Sequence, residues 1–186
     1  TVDVGLIIDT SDSMLGEVSP GRTKLDAGIE AAQALVSQLK LDGRDQVTVI
    51  GFNSTAYVAA PLTPDKARIE AALQYLPNTQ ASGTKMNTGL QAAYDQLSGA
   101  SHKPGNNRAI VLLTDGRHEG PSDEVRQVAN QIKAAGIGIY TVGLGNDVDA
   151  ALLREIAADP SQFYHSPDAT GLLEIYRRIA EYIPCP

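Results

Sequence analysis

Nearly continuous runs of hydrophobic residues recur four times along the chain, at positions 2–9, 46–52, 109–114 and 137–144. These runs are rich in Val, Ile and Leu, a composition typical of strands that are buried on both faces of a sheet. A shorter run at 57–60 predicts an edge strand that pairs with the strand before it through a hairpin. The pattern therefore predicts a sheet built around these four buried strands.

Between the strands, hydrophobic residues recur every three or four positions, which is the spacing of an amphipathic helix. The spacing predicts helices at 24–39, 66–76, 88–97, 123–135, 149–157 and 168–182. A short strand is expected near 163–165, before the last helix. This alternation predicts an α/β fold with an open, mostly parallel, twisted sheet and helices on both of its faces. In such sheets, ligands bind beyond the carboxyl ends of the strands, where the strand order reverses.

Composition and charge narrow the class of protein. The 186 residues, 42% of them hydrophobic and 20% charged, have the size and composition of one globular domain. A net charge of −7 argues against binding to nucleic acid or to anionic lipids. The hydrophobic runs are far shorter than the roughly 20 residues that a membrane-spanning helix needs, so direct membrane insertion is not expected.

The ends of the chain suggest a larger context. Because the sequence starts at Thr1 and enters a core strand at once, we expect residues 1–186 to be one domain excised from a larger protein. Cys185 is the only cysteine, so it cannot form an internal disulfide. A free thiol and a bridge to other sequence both remain open for it.

Dense oxygen groups follow the first predicted strand, in the stretch IIDTSDSM. Asp9, Ser11 and Ser13 alternate there, so a tight turn can point one carboxylate and two hydroxyls into one concavity. Hard oxygen groups of this kind suit Mg²⁺, Mn²⁺ or Ca²⁺. Helix capping is the structural alternative, because Ser and Asp at such turns also satisfy free backbone donors.

Two further segments offer oxygen ligands. The strand in AIVLLTDGR ends at Thr114, so Asp115 emerges at the same edge of the predicted sheet. In ASGTKMNTGL, Gly83 permits a tight backbone path and Thr84 supplies a hydroxyl just before a helix. Three separate segments therefore favour a metal site over simple capping.

This combination resembles the von Willebrand factor type A (vWA) domain. The resemblance rests on DTSDS as the family's Asp-X-Ser-X-Ser motif, on Thr84 in SGT and on Asp115 in LLTDG. In the family these segments form a metal-ion-dependent adhesion site. The resemblance extends from VDVGLIID to the last helix, and it implies a single vWA domain with a Rossmann-like fold over 1–186.

The resemblance also implies a role for each residue of the site. The hydroxyls of Ser11, Ser13 and Thr84 would bind the ion, while Asp9 and Asp115 would hold it directly or through ordered water. Mg²⁺ is the favoured ion, with Mn²⁺ and Ca²⁺ as alternatives. The partner would be another protein, with an Asp or Glu carboxylate that completes the coordination. An extracellular or cell-surface location is favoured, and a cytoplasmic one is left open.

Two alternative functions remain open. A metal-dependent phosphohydrolase could use His118 as a general base, but the sequence has no Gly-X-Ser-X-Gly elbow, no Walker loop and no second carboxylate cluster. We therefore expect His118 to be a solvated loop residue and the protein not to be an enzyme. The other alternative is a cytosolic vWA subunit that docks on an ATP-driven remodelling complex.

Two features qualify the resemblance. Position 12 is Asp where many relatives have Gly; we expect its side chain to hydrogen-bond its own turn, although it could also raise cation affinity and repel an acidic partner. The last helix carries an apolar stripe that is expected to lie against the sheet, formed by Leu172, Leu173, Ile175, Tyr176, Ile179 and Ile183. In adhesion members of the family this helix resembles a sliding lever, but here a static role is favoured.

Overall fold

A six-stranded sheet organises the protein, in a computed structural model that describes residues 1–183. Cys185, whose redox state the sequence leaves open, lies outside the described residues. The strands are β1 (Val2–Asp9), β2 (Glu17–Ser19), β3 (Arg22–Thr23), β4 (Gln46–Phe52), β5 (Ala56–Thr63), β6 (Asn107–Thr114), β7 (Gly138–Leu144) and β8 (Phe163–Ser166). The main sheet has the order β5-β4-β1-β6-β7-β8, and β2 and β3 form a separate small hairpin.

Six α-helices connect and cover the strands. They are α1 (Lys24–Gln38), α2 (Lys66–Tyr75), α3 (Met86–Ser98), α4 (Ser122–Ala134), α5 (Ala150–Ile156) and α6 (Leu172–Tyr182). All the predicted helices and strands are present. The last helix begins later than predicted, because Asp168 caps a separate 3-10 turn at Ala169–Gly171 by accepting a bond from the Thr170 N–H.

Strand pairing confirms the predicted sheet type. Every pair in the main sheet is parallel except β4 and β5, which form the expected antiparallel hairpin. The central strand is β1: the chain leaves it towards β4 and β5, then crosses back to build β6, β7 and β8 on its other side. The strand order therefore reverses at β1, which makes its carboxyl end the position where α/β sheets bind ligands.

The two faces of the sheet each have their own hydrophobic core. One core contains side chains of α1, α2 and α6, and the other contains those of α3, α4 and α5. All residues of β1 are buried, and they alternate between the cores, with Leu6 and Ile8 in the first and Ile7 in the second. Burial of β1 on both faces explains why its sequence is nearly continuously hydrophobic.

Glycines let one helix on each face approach the sheet closely. A Cβ on Gly28 of α1 would lie 2.6 Å from Leu113 Cδ2, and a Cβ on Gly89 of α3 would lie 2.8 Å from Ile7 Cγ2. Both distances are shorter than van der Waals contact. The loop that carries Thr84 leads directly into α3, so the close packing of this helix also positions that loop.

The last helix differs from its predicted packing. Leu172, Tyr176 and Ile179 are buried in the core that α1 also lines, and α6 lies beside α1. Leu173 is 38% exposed, so its inclusion in the buried stripe was wrong. Within residues 1–183, no helix has both the length and the apolar composition to cross a membrane.

Candidate metal centre

Two buried carboxylates lie at the carboxyl edge of the sheet. Asp9 is the last residue of β1, and Asp115 follows directly after the end of β6. Because β1 and β6 are parallel neighbours, their carboxyl ends meet at the same edge. Asp9 is fully buried and Asp115 is 3% exposed. Burial of two acidic groups side by side is costly unless hydrogen bonds or a cation compensate their charges.

The Asp-X-Ser-X-Ser turn links these two carboxylates. The Ser11 backbone N–H donates to Asp9 Oδ1 at 2.8 Å, and the Ser11 and Ser13 hydroxyl oxygens are 3.0 Å apart. The Ser13 hydroxyl in turn donates to Asp115 Oδ1 at 2.6 Å. The structure therefore brings four of the five predicted residues into one hydrogen-bonded chain.

Thr84, the fifth predicted residue, lies against the segment that follows Asp115. Its Oγ1 is 3.6 Å from the position that a Cβ on Gly116 would occupy, and its carbonyl accepts a bond from the Glu119 N–H at 2.9 Å. The preceding Gly83 has φ +97°, and a Cβ there would lie 2.9 Å from Ser54 Cβ. Only glycine fits this turn without strain, as the sequence indicates.

Asn53 fastens the Thr84 loop to the sheet, a role that the sequence pattern does not predict. Its Nδ2 donates to Thr10 Oγ1 at 3.2 Å and to the Thr79 carbonyl at 2.9 Å. Its own carbonyl accepts a bond from the Lys85 N–H at 2.7 Å. One residue thus joins the ends of β1 and β4 to the loop before α3. In the sequence, the indication of this role is that Asn53 directly follows a buried strand.

The electrostatics of Asp9 indicate a site that favours a cation. Burial raises the pKa of Asp9 to about 6, although hydrogen bonds from Ser11 and Thr114 lower it and the Asp115 charge raises it further. The Thr114 hydroxyl donates to Asp9 Oδ2 at 2.6 Å. A cation bound between the carboxylates would favour the ionised form of Asp9. The donors are all hard oxygens, the type that Mg²⁺, Mn²⁺ and Ca²⁺ prefer, so these residues fit a divalent cation.

Lys24 also reaches the centre, a contact that is not among the sequence predictions. Its Nζ lies 2.7 Å from Asp115 Oδ2; the Asp115 side chain is fully buried, whereas that of Lys24 is 29% exposed. Lys24 is the first residue of α1, directly after the N-cap Thr23. The pattern Thr-Lys-Leu-Asp predicts a capped helix start here, but it does not reveal where the lysine side chain points.

Two neighbouring residues differ from expectation. Asp12 is exposed and makes no hydrogen bond to the rest of residues 1–183, so the predicted bond to its own turn was wrong. The imidazole of His118 is 1% exposed and lies 4.0 Å from a Glu124 carboxylate oxygen, so it is not solvated. Burial lowers the pKa of His118, outweighing the opposite effect of Glu124.

The centre contains few acidic groups. Across residues 1–183, no three His, Cys, Asp or Glu side chains converge as a metal-binding group. The two carboxylates are instead accompanied by the hydroxyls of Ser11, Ser13 and Thr84. Glu119 is exposed and lies at the rim, where its carboxylate is beside Gly83.

Comparison with known sequences gives a consistent result. The family model for the von Willebrand factor type A domain matches residues 3–178. Mouse Matrilin-1 is 30% identical over 154 residues, which is 77% of this chain and 30% of the relative. Chicken Matrilin-3 is 34% identical over 122 residues, which is 62% of this chain and 26% of the relative. The chain thus spans less than a third of the length of these two proteins.

Solved structures share the fold. Proximal thread matrix protein 1 from the mussel byssus superposes with a TM-score of 0.84 at 19% identity, over 98% of this chain and 46% of that one. A structure of the same mussel protein has a zinc-occupied MIDAS motif, and it superposes with a TM-score of 0.78 at 19% identity, over 96% of this chain and 46% of that one. An aerotolerance-related membrane protein from Bacteroides fragilis superposes with a TM-score of 0.81 at 22% identity, over 98% of both chains.

The names of these relatives and structures are not names of enzymes. The matrilin matches support an adhesion-type protein-interaction module. The sheet order, the site at the carboxyl end of β1 and the family match over residues 3–178 lead to one conclusion. The chain belongs to the von Willebrand factor type A domain family.

Proposed function

We propose that this domain binds one divalent cation and uses it to capture a carboxylate of a protein partner. The observation that carries the proposal is the convergence of two buried carboxylates and the Ser11 and Ser13 hydroxyls where the strand order reverses, with Thr84 next to Gly116. Mg²⁺ is the first candidate, and Mn²⁺ and Ca²⁺ are alternatives. The zinc in the MIDAS motif of the mussel protein supports a cation at this position, but it does not select the ion.

Each residue has a distinct role in the proposed centre. Ser11, Ser13 and Thr84 supply neutral oxygens, whereas Asp9 and Asp115 supply the negative charge, directly or through water. Two carboxylates balance the charge of a divalent ion without filling all of its coordination positions. Mg²⁺ in particular retains water at positions that the protein leaves free. An Asp or Glu of the partner can replace one such water and form a charge-assisted bond.

The surface around the centre suits a protein partner. Leu15, two residues after the Asp-X-Ser-X-Ser motif, is 49% exposed, so it offers apolar contact area on the segment that carries Ser11 and Ser13. The exposed carboxylates of Asp12 and Glu119 lie near the same rim. They disfavour a uniformly acidic partner, so the coordinating carboxylate should be flanked by neutral or basic residues.

The enzymatic alternative has less support. A hydrolase would need a base that can reach a substrate or a water molecule at the ion, yet the His118 imidazole is only 1% exposed. An interaction role on an ATP-driven remodelling complex would use the same metal centre as an adhesion role. The neighbouring domains and the partner distinguish these two interaction roles.

Water proton relaxation with Mn²⁺ tests both parts of the proposal. Mn²⁺ bound to the protein should enhance the relaxation rate of water protons, and acetate should reduce this enhancement by replacing a bound water. Methyl acetate is the matched control, because it lacks the charge. An Asp9→Ala, Asp115→Ala variant should show no enhancement. Enhancement that persists in this variant contradicts the site, and enhancement that is insensitive to acetate contradicts carboxylate capture.

A further inference from the structure

The proposed metal centre already contains a cation from the protein itself. Lys24 Nζ is 2.7 Å from Asp115 Oδ2, and the other oxygen of Asp115 accepts the Ser13 hydroxyl. The Asp115 side chain is fully buried, so its charge is shielded little by solvent. Asp9 differs, because within residues 1–183 its oxygens accept hydrogen bonds from Ser11 and Thr114 but form no ion pair.

The backbone places Lys24 firmly. A capping box fixes the start of α1, with the Asp26 N–H donating to Thr23 Oγ1 at 3.1 Å and the Thr23 N–H donating to Asp26 Oδ2 at 2.8 Å. The Lys24 N–H donates to the Gly16 carbonyl at 2.9 Å, just after the Asp-X-Ser-X-Ser turn. Its Cε lies 3.5 Å from where a Cβ on Gly16 would be. The side chain therefore runs over the turn towards Asp115.

We propose that Lys24 is an internal counter-ion that competes with the divalent cation for Asp115 and thereby sets the cation affinity of the centre. The existence of the competing ion rests on the proposed function. A lysine ammonium and a divalent cation repel each other at short range. The ion must therefore either displace Lys24 from Asp115 or bind close to the positive charge of Lys24. Both outcomes weaken cation binding.

This arrangement has two consequences. Without a divalent ion, Lys24 compensates the buried charge of Asp115, so the loops of the centre remain folded. With the ion bound, Asp115 is shared between two cations and donates less negative charge to the metal. The ion then remains more electrophilic and exchanges its ligands more readily. A partner's carboxylate therefore binds it better than it would bind an ion in a closed site whose charge the protein fully compensates.

Replacement of Lys24 by methionine tests the inference, because methionine keeps an unbranched stem without the charge. In EDTA, Lys24→Met should lower the melting temperature by about 2–6 °C, since Asp115 loses its counter-ion. In calorimetry, the same substitution should tighten Mn²⁺ binding about tenfold, or about 1.4 kcal/mol. Lys24→Arg should stay close to the unmodified protein in both measurements.

Lys66→Met is the matched control. Lys66 is the first residue of α2, as Lys24 is of α1, but its Nζ pairs with an exposed Glu70 at 3.7 Å. This substitution should change neither measurement appreciably. In an Asp115→Asn background, Lys24→Met should alter the melting temperature in EDTA by much less, because the two residues act as one pair. Undiminished destabilisation in that background overturns the inference.

The metal measurements separate the two proposals. Mn²⁺ binding that is unchanged or weaker in Lys24→Met overturns the counter-ion role and leaves the metal site intact. Binding by Lys24→Met alone, with none by the unmodified chain, supports the counter-ion role and contradicts metal binding by the native protein. Absence of binding in both proteins overturns both proposals.

Discussion

Asp9 and Asp115 show how two identical side chains acquire different properties at one site. Both are buried, but Asp115 has the Lys24 ammonium as a partner, whereas Asp9 accepts hydrogen bonds from Ser11 and Thr114 and has no basic partner among the described residues. Burial therefore dominates at Asp9 and raises its pKa to about 6. The ionised form of Asp9 is therefore unfavourable in the metal-free fold, and a divalent cation would stabilise it.

The raised pKa of Asp9 predicts how the stability of the metal-free protein depends on pH. The carboxyl binds its proton more tightly in the folded state than at its ordinary pKa of 3.8, so ionisation of Asp9 increasingly destabilises the fold as the pH rises from 3.8 to about 6. Asp9→Asn removes the ionisable group but keeps the size and shape of the side chain. In EDTA, its free energy of unfolding relative to the unmodified protein should rise through this window by about 3 kcal/mol and then level off.

Urea titrations of both proteins at several pH values from 4 to 8 measure this difference, and other titrating groups cancel in the comparison. A difference that does not vary with pH would show that Asp9 is not under electrostatic strain.

At the scale of elements, the site depends on how closely loops and helices are joined to the sheet. The Thr10 N–H donates to the Phe52 carbonyl at 2.7 Å, which fastens the end of β1 to the end of β4. Bonds from the Lys85 N–H to Asn53 and from the Glu119 N–H to Thr84 join the remaining loops. The loops that carry the proposed metal ligands are thus connected to one another by backbone bonds, independently of any ion.

Substitution of Gly89 tests the close approach of α3 to the sheet. In Gly89→Ala, the new Cβ would lie 2.8 Å from Ile7 Cγ2, a branched side chain in a packed core. Overpacking of this kind costs about 1–3 kcal/mol, against a helix-propensity gain of up to about 1 kcal/mol. We expect a net loss of about 1 kcal/mol in the free energy of unfolding, measured in urea. Gly138→Ala is the control, because a Cβ there would have its nearest contacts at 3.8 Å. An increase in stability for Gly89→Ala contradicts the close packing.

Tyr176 tests the packing of α6. Its side chain is fully buried, and its hydroxyl has no hydrogen-bond partner among residues 1–183. Tyr176→Phe removes an unsatisfied polar group and should raise the free energy of unfolding by about 1 kcal/mol. Tyr182→Phe is the control on the same helix, because Tyr182 is 52% exposed and its change should be nearly neutral. Marked destabilisation by Tyr176→Phe would show that the hydroxyl is bonded in solution.

At the scale of the molecule, the sequence predicts most of the fold because the main strands are buried on both faces. The strands β1 and β4 begin and end where the hydrophobic runs do. The hairpin of β2 and β3 was missed because it is short and has no hydrophobic alternation. The helix-start at Leu172 was missed because Asp168 caps a 3-10 turn in a pattern that also suits an α-helix.

The candidate site was predictable where its residues follow strands or form a local motif. Asp9, Ser11 and Ser13 are close in sequence, and Asp115 follows a strand that ends at the same edge of the sheet. Lys24 was missed because its pairing with Asp115 joins residues 91 positions apart, through a long side chain whose direction only packing determines. The burial of His118 likewise depends on the loops that surround it, not on its neighbours in sequence.

Calorimetric titration of the EDTA-treated and dialysed domain with Mn²⁺ and Mg²⁺ tests the central claim most directly. If Asp9, Ser11, Ser13, Thr84 and Asp115 form a metal centre, about one ion should bind per chain, and an Asp9→Asn, Asp115→Asn variant should bind none while it remains folded. Glu30→Gln is the matched control, because Glu30 pairs with Arg22 on the surface and should leave binding unchanged. Equal binding by the double variant, or no binding by the unmodified domain, would contradict the claim.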